Sequence, residues 1–423
     1  MFKSLFKKGE KTVLGRDTDT RKKVTATLAK RSLNNMFLYS KEHISPLSFI
    51  MPIISQDLKR ISNYLRDVDK GKSNENHEQL GDLTVISDSD SIGLNVLVEA
   101  KLKGISEESI AIIDPLSLQT AGINPLLGPV EEVADVLSDI IIGMNASKDK
   151  GGFLFGEKQR NHLKHYIYLL KLHEPNDNVT FDMLVDMYNN PQYVRRIFEE
   201  FKSLYITSYN EIMEDIILDD DIIRSVYEWF EENLLPLPTD QWIDGVIMYY
   251  DAMEEYAKEL RTYLNELVRH PGIRRILYAV YATEPFDFGR HLTEGGVLLV
   301  NTRSNELRCH SEFIGKVVIM QLHQHLNKLF IESNASNAFH HLLIDDHDKY
   351  MFNNFIEFQM QSRIYKVINS LLIDLAHQLE INPYWMDIAQ NKYLFHEQLR
   401  IEVQGHHLEH VYPVIKLIPI SSS

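Results

Sequence analysis

Leu83-Thr-Val-Ile-Ser87, a helical stretch reaching Gly104, and Ser109-Ile-Ala-Ile-Ile-Asp-Pro115 follow one another in the chain. Two short β-branched runs with a helix between them read as a β-α-β unit. A right-handed crossover of this kind builds a parallel sheet, whose ligands lie beyond the carboxyl ends of the strands. Strand signals recur at Gly296-Val-Leu-Leu-Val300, His341-Leu-Leu-Ile-Asp345, Ser370-Leu-Leu-Ile-Asp374 and Pro413-Val-Ile-Lys-Leu-Ile418, with a long helix over 312–330. Between Val130 and His270 they almost vanish, and helical patterns take over at 130–144, at 157–172, through Glu200 and Glu232, and at 251–270. The chain therefore reads as an α/β sheet with helices on both faces, interrupted by an all-helical insertion domain. The expected division is a basic N-terminal segment over 1–31, sheet over 32–145, insertion over 146–283 and sheet again over 284–423.

At 423 residues there is room for two domains or for one large domain carrying an insertion. The 44 Lys+Arg against 60 Asp+Glu give a net charge of −16, which excludes a general DNA-coating surface but not a channel that concentrates its basic residues. A hydrophobic share of 44% excludes intrinsic disorder. The single cysteine, Cys309, excludes an intramolecular disulfide framework and a Cys-rich zinc site, and it suits a reducing, cytoplasmic setting. No run approaches the roughly 18 apolar residues of a spanning helix. Residues 1–31 hold ten Lys/Arg against Glu10, Asp17 and Asp19, and Phe2, Leu5 and Phe6 share a helical face beside lysines. A frayed, solubilising terminus is the simpler reading of Met1 to Lys8; peripheral contact with the inner face of the cell membrane is the sharper one.

The strongest local sign of chemistry is His341-Leu-Leu-Ile-Asp345-Asp346, an apolar strand that ends in two carboxylates. Nucleotide-hydrolysing folds use this arrangement, the first acid ordering Mg²⁺ and the second positioning the attacking water. Many α/β strands end in acids, and no G-x-x-x-x-G-K-[ST] phosphate loop occurs anywhere in the chain. His340, His341, Asp345, Asp346, His347 and Asp348 crowd one strand end, but successive strand residues face opposite ways, so at most about half converge on a metal. His406, His407 and His410 form a second group, and His323 and His325 do not face one another on a helix. The acidic group Glu211, Glu214, Asp215, Asp219, Asp220 and Asp221 reads as a solvated helix end or as a docking surface for a basic partner.

Four passages together resemble the coupling ATPases of conjugative type IV secretion, DNA translocases of the RecA-like P-loop NTPase fold, in particular the soluble part of those from Gram-positive mobile elements. Asn34-Asn-Met-Phe-Leu-Tyr39 followed by Pro52-Ile-Ile-Ser-Gln-Asp-Leu58 is similar to that family's opening strand and the helix behind its phosphate loop. Leu83 to Ser87, then Ile112-Ile-Asp114-Pro115 through Gly122-Ile-Asn-Pro-Leu126, resembles its next strands. Phe286-Asp-Phe288 with Leu292 and Gly295 to Val300 resembles its re-entry after a helical domain. Asp345 and Asp346 fall where its magnesium strand ends, and Gln378 in Leu375-Ala-His-Gln378 where a sensor glutamine belongs.

The resemblance implies ATP and Mg²⁺ as ligands, with Asp345 on the metal and Asp345, Asp346 and Gln378 as the catalytic positions. It places the phosphate loop at Ser40-Lys-Glu-His-Ile-Ser45-Pro46-Leu47, where Ser40 and Ser45 replace glycines, Pro46 the lysine and Leu47 the hydroxyl ligand. A Cβ resists positive φ, proline has no N–H, and leucine cannot hold a metal, so this slot argues against tight ATP binding and fast turnover. The resemblance further implies a ring, a hexamer of this chain alone or mixed with an active paralogue, DNA through its channel, and other secretion proteins beside it, among them a membrane-anchored partner. Three functions follow: a non-hydrolysing structural or regulatory partner in DNA transfer, a divergent active translocase, and a protein-docking module that uses the acidic helical insertion.

Overall fold

A computed structural model of the chain describes residues 11–40, 42, 44–71, 79–88, 90–145, 152–174, 179–205, 221–243, 246–278, 286–332, 338–374 and 390–395, and the backbone of 402–403, 406–407 and 415–418. Two compact units result, one of Met1–Asp114 with Phe286–Ser423 and one of Pro115–Pro285. The strands begin with β1 (Thr12–Asp17), β2 (Lys23–Ala26), β3 (Asn34–Tyr39), β4 (Leu80–Ser87) and β5 (Ile110–Ile113). The second unit holds β6 (Leu234–Pro236) and β7 (Tyr249–Asp251). After it come β8 (Gly296–Asn301), β9 (Phe339–Asp345), β10 (Val367–Asp374), β11 (Asn391–Phe395), β12 (Glu402–Val403), β13 (His406–His407) and β14 (Ile415–Ile418).

The first unit is built on one sheet in the order β2-β1-β14-β11-β3-β10-β9-β4-β8-β5. From β14 to β5 every pairing is parallel, and β1 is antiparallel to both of its neighbours. With β10 between β3 and β9, this is the RecA-like sheet expected from the sequence. Strands β3, β4, β9 and β10 are buried at every position, as a sheet covered on both faces requires. The Pro46–Asp69 helix turns Phe49, Ile50, Ile53, Ile54, Leu58 and Ile61 inward, onto a cluster with Phe37, Leu83, Val85 and Leu343. On the opposite face, the Ser311–Ile331 helix comes so close at Gly315 that an added Cβ would overlap the Tyr350 ring and touch Ile86.

Residues 12–26 depart from the expectation of a basic terminal segment. They form β1 and β2 at the sheet edge, where charged side chains on a solvent-facing strand discourage pairing with another chain. What fixes this edge is a buried ionic network. Asp57 accepts from Arg31 at 2.8 and 2.6 Å and from Arg60 at 2.9 Å. The Thr12 hydroxyl accepts from the same two guanidinium groups at 2.8 and 2.7 Å. His341 Nδ1 lies 3.0 Å from Asp57, and its Nε2 lies 2.8 Å from the Ser370 hydroxyl. Burial acts against the Asp57 charge, but Arg31 and then His341 outweigh it and hold this carboxyl well below its ordinary value.

Among its described residues the second unit is mostly helical, with a short antiparallel ladder of β6 and β7. Phe181, Phe198, Phe201 and Phe230 fill its core. His162 is sealed there, 2.7 Å from Asp251 and 3.0 Å from the Tyr188 hydroxyl. Of the acidic group read from the sequence, Asp221 opens the Asp221–Asn233 helix and the rest lie outside the described residues. Among the described residues no helix is long and apolar enough to cross a membrane.

Candidate functional site

The parallel strands deliver their carboxyl ends to one edge of the sheet. Asp374 lies opposite Tyr39, Leu372 opposite Asp345, and Ser87 opposite Asn301, so Tyr39, Asp345, Asp374, Asp88 and Thr302 come together there. This is the edge at which parallel sheets hold their ligands.

The turn after β3 is the slot for a phosphate loop. Ser40 is buried, and its carbonyl accepts from Ile44 at 2.9 Å. Ser45 caps the Pro46–Asp69 helix at φ −71° and ψ 132°, with Pro46 in the first turn. The Ser45 carbonyl accepts from the Ser48 N–H at 3.0 Å and from the Ser48 hydroxyl at 2.7 Å. Leu47, with Ile44, packs against the apolar cluster beneath. Among the described residues of this turn none has positive φ. The geometry is that of an ordinary proline-started helix held to the core by an aliphatic side chain.

After β9 the chain turns sharply through Asp346, at φ 51°, into the short helical turn His347–Tyr350. That turn carries two side chains back over the strand tips. Lys349 Nζ donates to Asp88 Oδ2 at 2.7 Å and to Asp346 Oδ2 at 3.4 Å. Asp88 also accepts from the Ser304 N–H at 2.7 Å and from the Ser304 hydroxyl. The buried Tyr350 hydroxyl lies 2.7 Å from that of Thr302. Beside them, Arg303 makes a two-point pair with Asp114 at 3.0 and 2.6 Å.

The electrostatics follow from these contacts. Burial, then the charges of Asp345, Asp346 and Asp374, push the Tyr39 hydroxyl far above its ordinary value, so it stays a neutral donor, 3.5 Å from Asp345 Oδ1. Burial disfavours the Lys349 charge, but the hydrogen bond to Asp88 and the nearby carboxylates outweigh it, and its pKa rises. The same balance lowers Asp88: burial raises it, while Lys349 and Ser304 bring it down by more.

The structure thus brings Ser40, Asp345 and Asp346 to the edge that the sequence points to, while Leu47 faces the core and Gln378 lies outside the described residues. Tyr39, Asp88, Lys349, Thr302 and Arg303 escaped the sequence reading. All but Lys349 carry one signal, a position at or just after the end of an apolar run. The crowded histidines separate by strand alternation, His340 toward Asp82 at 2.5 Å and His341 toward Asp57. Among the described residues no group of three or more His, Cys, Asp or Glu is placed to hold a metal ion. Mg²⁺ demands a near-octahedral shell of oxygens at about 2.1 Å. Here Asp88 and Asp346 aim oxygens at an ammonium and Leu47 has none to offer, so the donor set does not fit that ion.

No protein-family model matches the chain, and no curated protein does. Among solved structures it is similar to the bacterial conjugative coupling protein TrwBdeltaN70 in an unbound monoclinic form, at 9% identity and a TM-score of 0.43, over 83% of this chain and 64% of that one. It is also similar to the plasmid coupling protein TrwB in complex with the non-hydrolysable GTP analogue GDPNP, at 10% identity and a TM-score of 0.40, over 83% of this chain and 66% of that one. The chain spans about two thirds of the length of those chains.

Proposed function

We propose that the chain is a structural or regulatory partner in conjugative DNA transfer by type IV secretion, one that keeps the frame of a DNA-translocating ATPase without hydrolysing nucleotide. The tie to DNA transfer rests on the order of the four sequence passages, spread over nearly the whole chain. The lack of hydrolysis rests on one observation, the turn after β3. Pro46, without an N–H, starts the helix there, and Leu47 packs into the core. Pro46 and Leu47 stand where the resembling loops carry the lysine that bridges the terminal phosphates and the hydroxyl that holds Mg²⁺, while Lys41, earlier in the turn, lies outside the described residues. In this reading the chain takes its place in a ring, with its own copies or with an active paralogue, around transported DNA, and a membrane-anchored secretion protein holds it at the inner face of the membrane.

Thermal melting with ATP and Mg²⁺ tests the first half. A ligand at 100 times its dissociation constant stabilises by about 2.7 kcal/mol. No shift is expected and no phosphate release; an ATP- and Mg²⁺-dependent rise accompanied by phosphate release overturns the non-hydrolysing reading. For the second half, donor cells lacking the chain are expected to lose DNA transfer and to regain it with the wild type and with Asp345→Asn alike. Unchanged transfer in the deleted donor removes the conjugative role. Failure of Asp345→Asn alone points to a working motor.

A further inference from the structure

We propose that the Lys349 ammonium is a resident counter-cation, tethered between the tips of β4 and β9, so that the Asp88 and Asp346 carboxylates there are neutralised by the chain itself rather than by a divalent metal ion. The proposal rests on reading this edge as the nucleotide edge, and it concerns the chain's own residues toward the cation rather than toward ATP.

Three observations carry it. First, the ammonium reaches carboxylates from two separate strand ends, Asp88 after β4 at 2.7 Å and Asp346 after β9 at 3.4 Å. An ion bound there would meet the same oxygens, so the two cannot occupy the position together. Second, the turn that presents Lys349 is held on both sides. Asp346 adopts the left-handed conformation that reverses the chain, and Tyr350 is buried against Gly315 with its hydroxyl on Thr302. The amine is therefore presented at high effective concentration, which a free ion at millimolar levels must displace. Third, Asp88 also accepts from the N–H and hydroxyl of Ser304, which fix the orientation of the carboxylate that the ammonium meets. The ammonium thereby offsets the repulsion between the two carboxylates it reaches, Asp88 and Asp346.

The test uses the full chain without nucleotide, so that its failure is separable from failure of the ATP titration. Lys349→Met keeps most of the apolar stem and removes the charge, while Lys349→Arg keeps the charge. Binding of Mn²⁺ is followed by loss of the free-ion electron paramagnetic resonance signal, and stability by thermal melting with and without Mn²⁺ or Mg²⁺. The wild type and Lys349→Arg are expected to take up no stoichiometric Mn²⁺ and to melt at the same temperature in its presence. Lys349→Met is expected to melt about 2–4 °C lower without metal, a shift that corresponds to roughly 1 kcal/mol in a unit of this size, to bind one Mn²⁺ at least tenfold more tightly than the wild type, and to recover the lost melting temperature. Equal Mn²⁺ binding by the wild type and Lys349→Met, or a folded Lys349→Met that neither binds nor responds, overturns the proposal. If Lys349→Met fails to fold, refolding it with Mn²⁺ or combining it with Asp88→Asn decides the same question. Rescue by either supports the counter-cation, and rescue by neither contradicts it.

Discussion

Carboxylates lie near both ends of the parallel strands and are neutralised in different ways. Toward the amino end, Asp57 is sealed from water and held by two guanidinium groups and a neighbouring imidazole. At the carboxyl end, Asp88 and Asp346 are only partly covered, and a single flexible lysine reaches them from a neighbouring turn. Rigid arginine forks suit a buried joint that ties β1, the Pro46–Asp69 helix and β9 into one body. A lysine on a loop suits an edge where open proteins of this architecture receive ligands. The first device holds the fold together; the second fills a site.

The widest gap between the two ends is expected from Asp57→Asn, which leaves Arg31 and Arg60 buried without their anion. It should cost about 3–5 kcal/mol in urea unfolding, while Asp57→Leu combined with Arg31→Met and Arg60→Met should cost clearly less. Equal losses from both would mean that the network contributes little as an ionic unit. Next comes Gly315→Ala, whose added methyl meets the Tyr350 ring and should cost about 1–3 kcal/mol. A neutral effect there would show that the loop carrying Lys349 is not locked against the helix below it. The pH dependence separates the ends by sign. Asp57 and Asp88 have depressed values, so their contributions are present above the ordinary carboxylate value near 4 and are lost as the pH falls through the folded values. Lys349 has a raised value, so its contribution is present below about 10.4 and is lost as the pH climbs through the folded value. Urea midpoints against pH should therefore show a steep acid limb that flattens in Asp57→Asn. The alkaline limb should be shallow, because the partly exposed Lys349 pair is worth at most about 1 kcal/mol.

Much of this frame was legible as apolar runs: β4, β5, β8, β9, β10 and β14 sit on stretches whose β-branched content and length leave little choice. Strands β1, β2 and β11 were not. Thr12–Asp17 and Lys23–Ala26 mix charged and apolar residues because they lie at the sheet edge, and nothing local distinguishes such a strand from a basic tail. The site was half legible. Asp345 and Asp346 follow from the strand that ends on them, and the opposed directions of His340 and His341 follow from strand alternation. The Lys349 contact to Asp88 spans 261 residues of sequence and joins two loops, so no spacing rule leads to it. Leu47 stands where a metal ligand is missing, and its packing against the apolar cluster supplies the physical reason a leucine stands there.

Calorimetric titration of Mg²⁺ and ATP into the chain tests the central claim most directly, since Pro46 and Leu47 stand where a phosphate loop carries its lysine and its hydroxyl. The expected result is no saturable heat at concentrations up to the millimolar range. Saturable, Mg²⁺-dependent binding that disappears in Asp345→Asn would contradict the account.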